Sequence, residues 1–177
     1  MSLQAGIHTI GPENGSLLIK TGREGAAARA GHDLVLEATN WDGTVQVGDT
    51  GAVQLNVDPA GIEVRTGTGG AKALSDKDRG DVKKNMDGKV LGSSPIRFQS
   101  TSVAVADGAM DVSGDVSIAG ASQPISVPLT IAPDGTVSGS VTLSQSSFGI
   151  KQYKALMGAL KVADDVEVQI EARLPTG

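Results

Sequence analysis

Apolar residues recur at every second position in several segments of this chain, and turn-forming residues separate those segments. The clearest segments are residues 53–57, 112–118, 125–131, 137–143 and 166–172. Because neighbouring side chains of a β-strand point to opposite faces, this period describes strands with one dry face and one wet face. A chain composed almost wholly of such strands must pair two sheets or close one sheet into a barrel. A closed barrel encloses a space that can hold a ligand.

Short turn motifs lie between these segments. Asp107-Gly108 and Asp134-Gly135 are typical of tight hairpin turns. Asp42-Gly43 predicts another hairpin turn, and Pro59-Ala60-Gly61 predicts a break between two strands. The pattern therefore predicts an antiparallel sheet.

One segment of the chain has the pattern of a helix. Ser75 is followed three residues later by Asp78, which resembles a capping box. Apolar residues then recur at four-residue spacing from Val82 to Val90. These features predict one inserted α-helix over about residues 75–91.

A second segment, residues 151–160, also has apolar residues at helical spacing and predicts a short helix or a folded loop. The segment either packs as a plug on one end of the core or acts as a movable lid over a pocket.

Composition limits both the size of the fold and the walls of any cavity. The 177 residues suit one domain spanning 1–177. The 24 glycines fit many turns and tight strand bends. The only aromatic residues are Trp41, Phe98, Phe148 and Tyr153, so aliphatic side chains must line most of a cavity.

Charge and cysteine content exclude several classes of function. The net charge of −5 and the pI near 4.9 argue against nucleic acid as the partner. No stretch approaches the roughly 20 apolar residues that a membrane-spanning helix needs. The absence of cysteine excludes disulfides and thiolate chemistry. The start of the chain has no basic and apolar export signal, so we expect a cytoplasmic location.

The order of several motifs resembles that of the YceI-like family over nearly the whole chain. The motifs are Gly31-His32-Asp33-Leu34, Pro95-Ile96-Arg97-Phe98-Gln99-Ser100, Gly114-Asp115-Val116-Ser117-Ile118-Ala119-Gly120, Pro124-Ile125, Ser147-Phe148-Gly149-Ile150 and Val162-Ala163-Asp164-Asp165-Val166. The resemblance implies an eight-stranded antiparallel, lipocalin-like β-barrel with an inserted helix. It also implies binding of a polyisoprenoid or a similar long apolar chain inside the barrel, and a homodimer. Some members of the family are exported to the periplasm, which is not what we expect from the first residues of this sequence.

We expect a non-catalytic carrier of an isoprenoid, an isoprenoid quinone or a fatty-acid-like molecule, with no cofactor. Burial of hydrocarbon contributes about 0.8 kcal/mol per methylene, so such a ligand needs no charged recognition group. The predicted wall residues are Phe98, Val112, Val116, Ile125, Val127, Leu129, Val141 and Val168. Tyr153 and Met157 are predicted at one mouth, with His32 and Arg29 as polar contacts.

Two glycines in the apolar pattern have two interpretations. Gly114 and Gly139 fall in register with the apolar face of their strands. They either leave room for a ligand or relieve strand curvature.

His32 also has more than one interpretation. Its neighbour Asp33 suggests an acid–base or metal site, but adjacent strand residues point to opposite faces, and a metal needs further ligands. A structural, hydrogen-bonded His32 is the preferred interpretation, and no metal site is predicted. Two alternative functions remain: a filled barrel that acts as a protein-interaction or stress-related module, and a His32-dependent enzyme.

Overall fold

The computed structural model describes residues 2–70 and 72–177, in which twelve strands belong to one sheet. The strands are β1 (Gly6–Ile10), β2 (Gly15–Glu24), β3 (Asp33–Ala38), β4 (Trp41–Val47), β5 (Ala52–Val57), β6 (Ile62–Thr68), β7 (Ile96–Ala106), β8 (Ala109–Ile118), β9 (Ala121–Ile131), β10 (Thr136–Ser144), β11 (Lys154–Ala155) and β12 (Leu160–Arg173). All of their pairings are antiparallel. The predictions of an all-β fold and an antiparallel sheet are confirmed.

The sheet curls so that its last long strand lies beside one of its first. The order of neighbours is β1-β4-β5-β7-β8-β9-β10-β12-β2-β3-β6, and β11 pairs with β12 beside this path. Strands from all around the curl contribute the buried apolar side chains. The core therefore lies on the concave face.

Three corners bend the N-terminal half of the chain. They lie between β1 and β2, between β3 and β4, and between β5 and β6. Because β3 pairs with β6 and β4 pairs with β5, both arms of this long hairpin bend together. The prediction of a hairpin turn at Asp42-Gly43 is wrong, since both residues lie inside β4 and pair with Asn56 and Leu55.

The strand count differs from the predicted eight. Within the described ranges the corners each divide one extended run into two strands, and the two-residue β11 adds one more. The predicted turns at Asp107-Gly108 and Asp134-Gly135 are confirmed, since they join β7 to β8 and β9 to β10.

The predicted inserted helix is confirmed. Its α-helical part, α1 (Asp76–Asn85), begins with a capping box in which Ser75 Oγ accepts from the Asp78 N–H at 3.1 Å. Asp78 Oδ2 in turn accepts from the Ser75 N–H at 2.9 Å. The chain continues as a π-helical turn, Met86–Leu91, and leaves the helix at Gly92, whose φ is 65°.

Helix α1 covers β6, a strand at one end of the sheet order. The Arg79 guanidinium donates to the carbonyl of Arg65 at 2.9 Å, and the Lys83 ammonium donates to the carbonyl of Ala60 at 2.7 Å. The Arg79 bond satisfies a backbone acceptor of β6, and the Lys83 bond ties the helix to the 3-10 turn Pro59–Gly61 that precedes this strand.

Residues 151–160 form a folded loop, the second of the two predicted alternatives. Lys154 and Ala155 of β11 pair with Lys161 and Leu160, and a 3-10 turn, Leu156–Gly158, connects the two strands. In the described part of the chain, no helix is long and apolar enough to cross a membrane.

Candidate functional site

The concave face of the sheet encloses a cavity of about 740 Å³. Its wall is formed by β2, β3, β5 to β10 and β12, while α1 and the π-helical turn close one side. This volume lies within the range of about 300–1,000 Å³ that is typical of small-molecule sites.

Ten of the twelve predicted site residues line this cavity. They are His32, Phe98, Val112, Val116, Ile125, Val127, Leu129, Val141, Tyr153 and Val168. Most lie on strands whose alternating residues face inward and outward, so the two-residue period places them on one wall. Contact between these residues and a ligand stays a prediction.

Met157 and Arg29, the other two predicted residues, do not line the cavity. Met157 has a left-handed backbone conformation, with φ 56°, and its side chain is fully exposed. Arg29 lies in the 3-10 turn Ala28–Ala30 and is exposed. The arginine in the wall is instead Arg23, one of the inward positions of β2.

Several wall residues of the N-terminal strands were missed. They include Leu17, Ile19, Leu34, Leu36, Leu55 and Ile62. The run Leu17-Leu18-Ile19 places apolar side chains on both faces of β2, so its periodicity does not identify the inward face.

Gly114 and Gly139 are absent from the cavity wall as the structure describes it. A Cβ atom on Gly114 would lie 2.8 Å from the Phe98 ring and against the β7 backbone, where the β7–β8 register shifts. A Cβ atom on Gly139 would lie 2.7 Å from Leu129 Cδ2 and against the Pro128 carbonyl. Both glycines therefore permit close approach of neighbouring strands, which favours the curvature interpretation.

Five charged residues contribute to the wall of the cavity. They are Arg23, Lys72, Asp78, Asp81 and Lys161. Arg23 pairs in register with Val162, next to Lys161, and its guanidinium donates to the Gly31 carbonyl. Its Nε also lies 3.5 Å from Asp33 Oδ1. The rest of the wall is predominantly apolar, so the cavity has a polar end and a long apolar body.

His32 is held by the backbone at this polar end. Its Nε2 donates to the Lys72 carbonyl at 2.7 Å. The imidazole packs on Gly70, where the φ of 76° and the closeness of the ring both favour glycine. His8, on β1, instead bonds the Gln4 carbonyl at 2.7 Å. Within residues 2–70 and 72–177, no group of three or more His, Asp and Glu residues is arranged to hold a metal ion.

Asp78 adds a negative charge to the same end. Hydrogen bonds from the backbone N–H and the hydroxyl of Ser75 hold the pKa of the Asp78 carboxyl below its usual value. The nearby His32 acts in the same direction on this pKa.

The comparisons with known proteins agree with this fold. The model of a protein family described as YceI-like domain matches residues 23–174, whereas no curated protein sequence matches the chain. The crystal structure of Burkholderia cenocepacia BcnA is similar with a TM-score of 0.65 and 17% identity, covering 89% of this chain and 94% of that one.

The crystal structure of the Campylobacter jejuni YCEI protein is similar with a TM-score of 0.57 and 11% identity, covering 80% of this chain and 85% of that one. A mutant of that protein, solved with a monobromobimane guest, has the same TM-score, identity and coverage. At these identities the structural likeness shows the fold alone.

Proposed function

The chain belongs to the YceI-like family, and we propose that it is a non-catalytic carrier for a long apolar or amphiphilic molecule. The cavity of about 740 Å³, with its apolar body and polar end, is the observation that supports this function. Polyisoprenoids, isoprenoid quinones and fatty-acid-like molecules all have the shape and polarity that such a space accepts.

We infer that the curled sheet acts as a barrel of eight strands. Counted through their corners, β1–β2, β3–β4 and β5–β6 are three long bent strands, which β7, β8, β9, β10 and β12 bring to eight. The pairing of β12 with β2 and of β5 with β7 supports a closed ring of these eight strands.

The energetics of this cavity favour a chain-like ligand. Each buried methylene contributes about 0.8 kcal/mol, so about ten methylenes contribute about 8 kcal/mol before the costs of association. A net binding free energy of that size corresponds to a dissociation constant near 1 μM, so a ligand must bury more than about ten methylenes to reach that affinity after the costs of association. Affinity in this range needs no ionic recognition.

We place the polar head of the ligand at the polar end. The guanidinium of Arg23 and the imidazole of His32 lie in the wall there. Arg29 and Met157 are left out of the proposed site because their side chains lie outside the wall.

The two alternatives have less support from the structure. A filled barrel acting through its surface does not fit an interior with this cavity. Among the described residues, the large exposed apolar side chains are Ile7, Val105 and Met157, on three different segments. The contacts of His32 also argue against an enzyme that uses it as an acid or base. Its Nε2 donates to a backbone carbonyl, and the neighbouring Asp33 pairs with Arg23.

A substitution that fills the cavity tests the proposal. Val168 lies in the cavity wall beside Val141, its partner on the neighbouring strand. We therefore expect the Val168→Trp side chain to occupy ligand space and to weaken binding of cis-parinaric acid at least tenfold. Its neighbour Glu167 alternates to the outer face, which makes Glu167→Trp the matched control with unchanged affinity. Fluorescence titration of delipidated protein measures both, and equal affinities in the two variants would contradict the proposed site.

A further inference from the structure

The ladder between β9 and β10 is much shorter than the ladders on either side. β9 pairs with β8 through ten residue pairs, and β10 pairs with β12 through nine. Between β9 and β10 the described residues form only the pairs Ile131–Val137, Thr130–Ser138 and Leu129–Gly139. Residues 121–128 of β9 and 140–144 of β10 therefore lie along an unpaired seam, which we name the β9–β10 slot.

Two prolines explain why this seam is unpaired. Pro124 and Pro128 lie inside β9 and pair with Asp115 and Asp111 of β8. Proline has no N–H, so within a strand its nitrogen must face away from a ladder that needs the donor. Because the β8 ladder is continuous across both prolines, their nitrogens face β10. β10 therefore meets no N–H donor at these two positions.

The margins of the slot belong to the cavity wall. Ile125 and Val127 on one margin and Val141 and Leu143 on the other all line the cavity. The outward residues, such as Ser126, are small and uncharged.

Both ends of the slot are closed. The ladder closes one end, and at the other the Gln123 Nε2 donates to the Ser147 carbonyl at 2.8 Å. The slot is thus an apolar seam between the cavity and solvent that no ladder spans in the described residues.

We propose that the β9–β10 slot is the opening through which the apolar ligand enters and leaves the cavity. This inference rests on the proposed carrier function. Separating fully paired strands would break several backbone hydrogen bonds, whereas widening the slot breaks none of the ladder. A chain-like molecule can pass sideways through such a seam while its methylenes stay in contact with the apolar margins.

A reversible cross-link tests the slot. Extending the register from Leu129–Gly139 places Ser126 opposite Thr142, and both residues are exposed. The chain has no cysteine, so Ser126→Cys with Thr142→Cys supplies the only thiols. A short bis-methanethiosulfonate reagent joins them across the slot. Stopped-flow fluorescence then measures uptake and release of cis-parinaric acid by the delipidated protein.

We expect the cross-link to slow uptake and release at least tenfold, and dithiothreitol to restore both rates. The control pair is Ser113→Cys with Ser126→Cys, whose hydroxyls lie 3.0 Å apart across the continuous β8–β9 ladder; its cross-link should leave the rates unchanged. Unchanged rates in the slot pair overturn the opening but not the carrier function. No uptake by the uncross-linked protein overturns the carrier function and the opening together.

Hydrogen exchange on the ligand-free protein provides a second test. The Ala132 N–H donates across to the Thr136 carbonyl, so in this antiparallel pair the even-numbered residues of β9 and β10 turn their N–H groups towards each other. The amides of Ser140 and Thr142 therefore face β9. Those of Val141 and Leu143 face β12. We expect the first two amides to exchange at least tenfold faster than the second two, and equal protection would overturn the slot whatever the protein binds.

Discussion

Gly114 lies where β8 passes close to the backbone of β7. The β7–β8 register shifts between Ser100 and Ser102, and an added Cβ on Gly114 would meet the backbone of Gln99 and Ser100. The backbone of a paired strand cannot move aside for the added atom, whereas the end of a flexible side chain can. At the residue scale, this glycine lets the sheet curl around the cavity.

We predict that Gly114→Ala destabilises the protein by about 1–3 kcal/mol, which is the usual effect of overpacking. Chemical denaturation measures the change. Gly80→Ala is the control, because Gly80 lies in α1 with no atom near its missing Cβ. It should be neutral or stabilise by up to about 1 kcal/mol. Equal effects of the two substitutions would contradict the close approach.

Single residues also show where sequence patterns fail. Asp42-Gly43 has the composition of a hairpin turn, yet Gly43 is a point of close approach to Ile10 and Leu55 inside β4. A turn and a close approach both favour glycine, and only the long-range pairing with β1 and β5 distinguishes them. The dipeptide at Asp134-Gly135 had the same composition and did form a turn.

Helix α1 depends on polar contacts more than on burial. Of α1 and its π-helical extension, only Met86 is classed as buried within the described residues. The capping box, Arg79 and Lys83 connect the helix to its surroundings. At the scale of the element, the capping box is therefore a testable support of the helix, and its Asp78 lines the cavity.

We predict that Ser75→Ala raises the pKa of the Asp78 carboxyl towards its ordinary value of 3.8. The folded pKa is depressed because Ser75 donates to the charged carboxylate. The stability from this contact is therefore fully present above the ordinary pKa and is lost as pH falls through the depressed value. Asp78 should titrate at higher pH in the variant by NMR.

Asp134 provides the control for this titration. Its pKa is lowered by hydrogen bonds from Thr136, and it should not change in Ser75→Ala. An unchanged Asp78 titration in the variant would contradict the capping box as the cause.

At the same scale, the loop at residues 151–160 shows the limit of helical spacing as a signal. The segment instead forms β11, a turn and the start of β12. Pairing of Lys154 with Lys161 supplies the competing structure, and left-handed Met157 and Gly158 complete the turn. The helical spacing of apolar residues carries no information about this pairing. In the turn that results, the Met157 side chain points to solvent instead of towards the cavity.

At the scale of the whole molecule, the alternation of apolar residues predicts that one face of the sheet is buried, but it cannot predict a cavity on that face. Whether inward side chains fill the interior depends on how tightly the sheet curls, and the corners and the close approaches at glycines determine that curl. The predicted residues of β8, β9, β10 and β12, where the alternation is clearest, all lie in the cavity wall, and their contact with a ligand stays a prediction. The N-terminal strands, whose alternation is poor, supplied many of the wall residues that were missed, and the helix and the later strands supplied others, such as Val82 and Leu143.

A cavity of finite volume makes a prediction about ligand length. In a series of saturated fatty acids of increasing length, the binding free energy should rise by about 0.8 kcal/mol per methylene while the added carbon is buried. It should then level off when the chain fills the cavity of about 740 Å³. Competition against cis-parinaric acid measures the series.

The variant Val168→Trp should move the plateau to shorter chains, because the indole occupies part of the same volume. Glu167→Trp should leave the plateau where it is, since its side chain lies on the outer face. The fatty acid would have to bind on the protein surface if its binding free energy kept rising with length, or if neither substitution changed it. The length at the plateau therefore reports the usable depth of the interior.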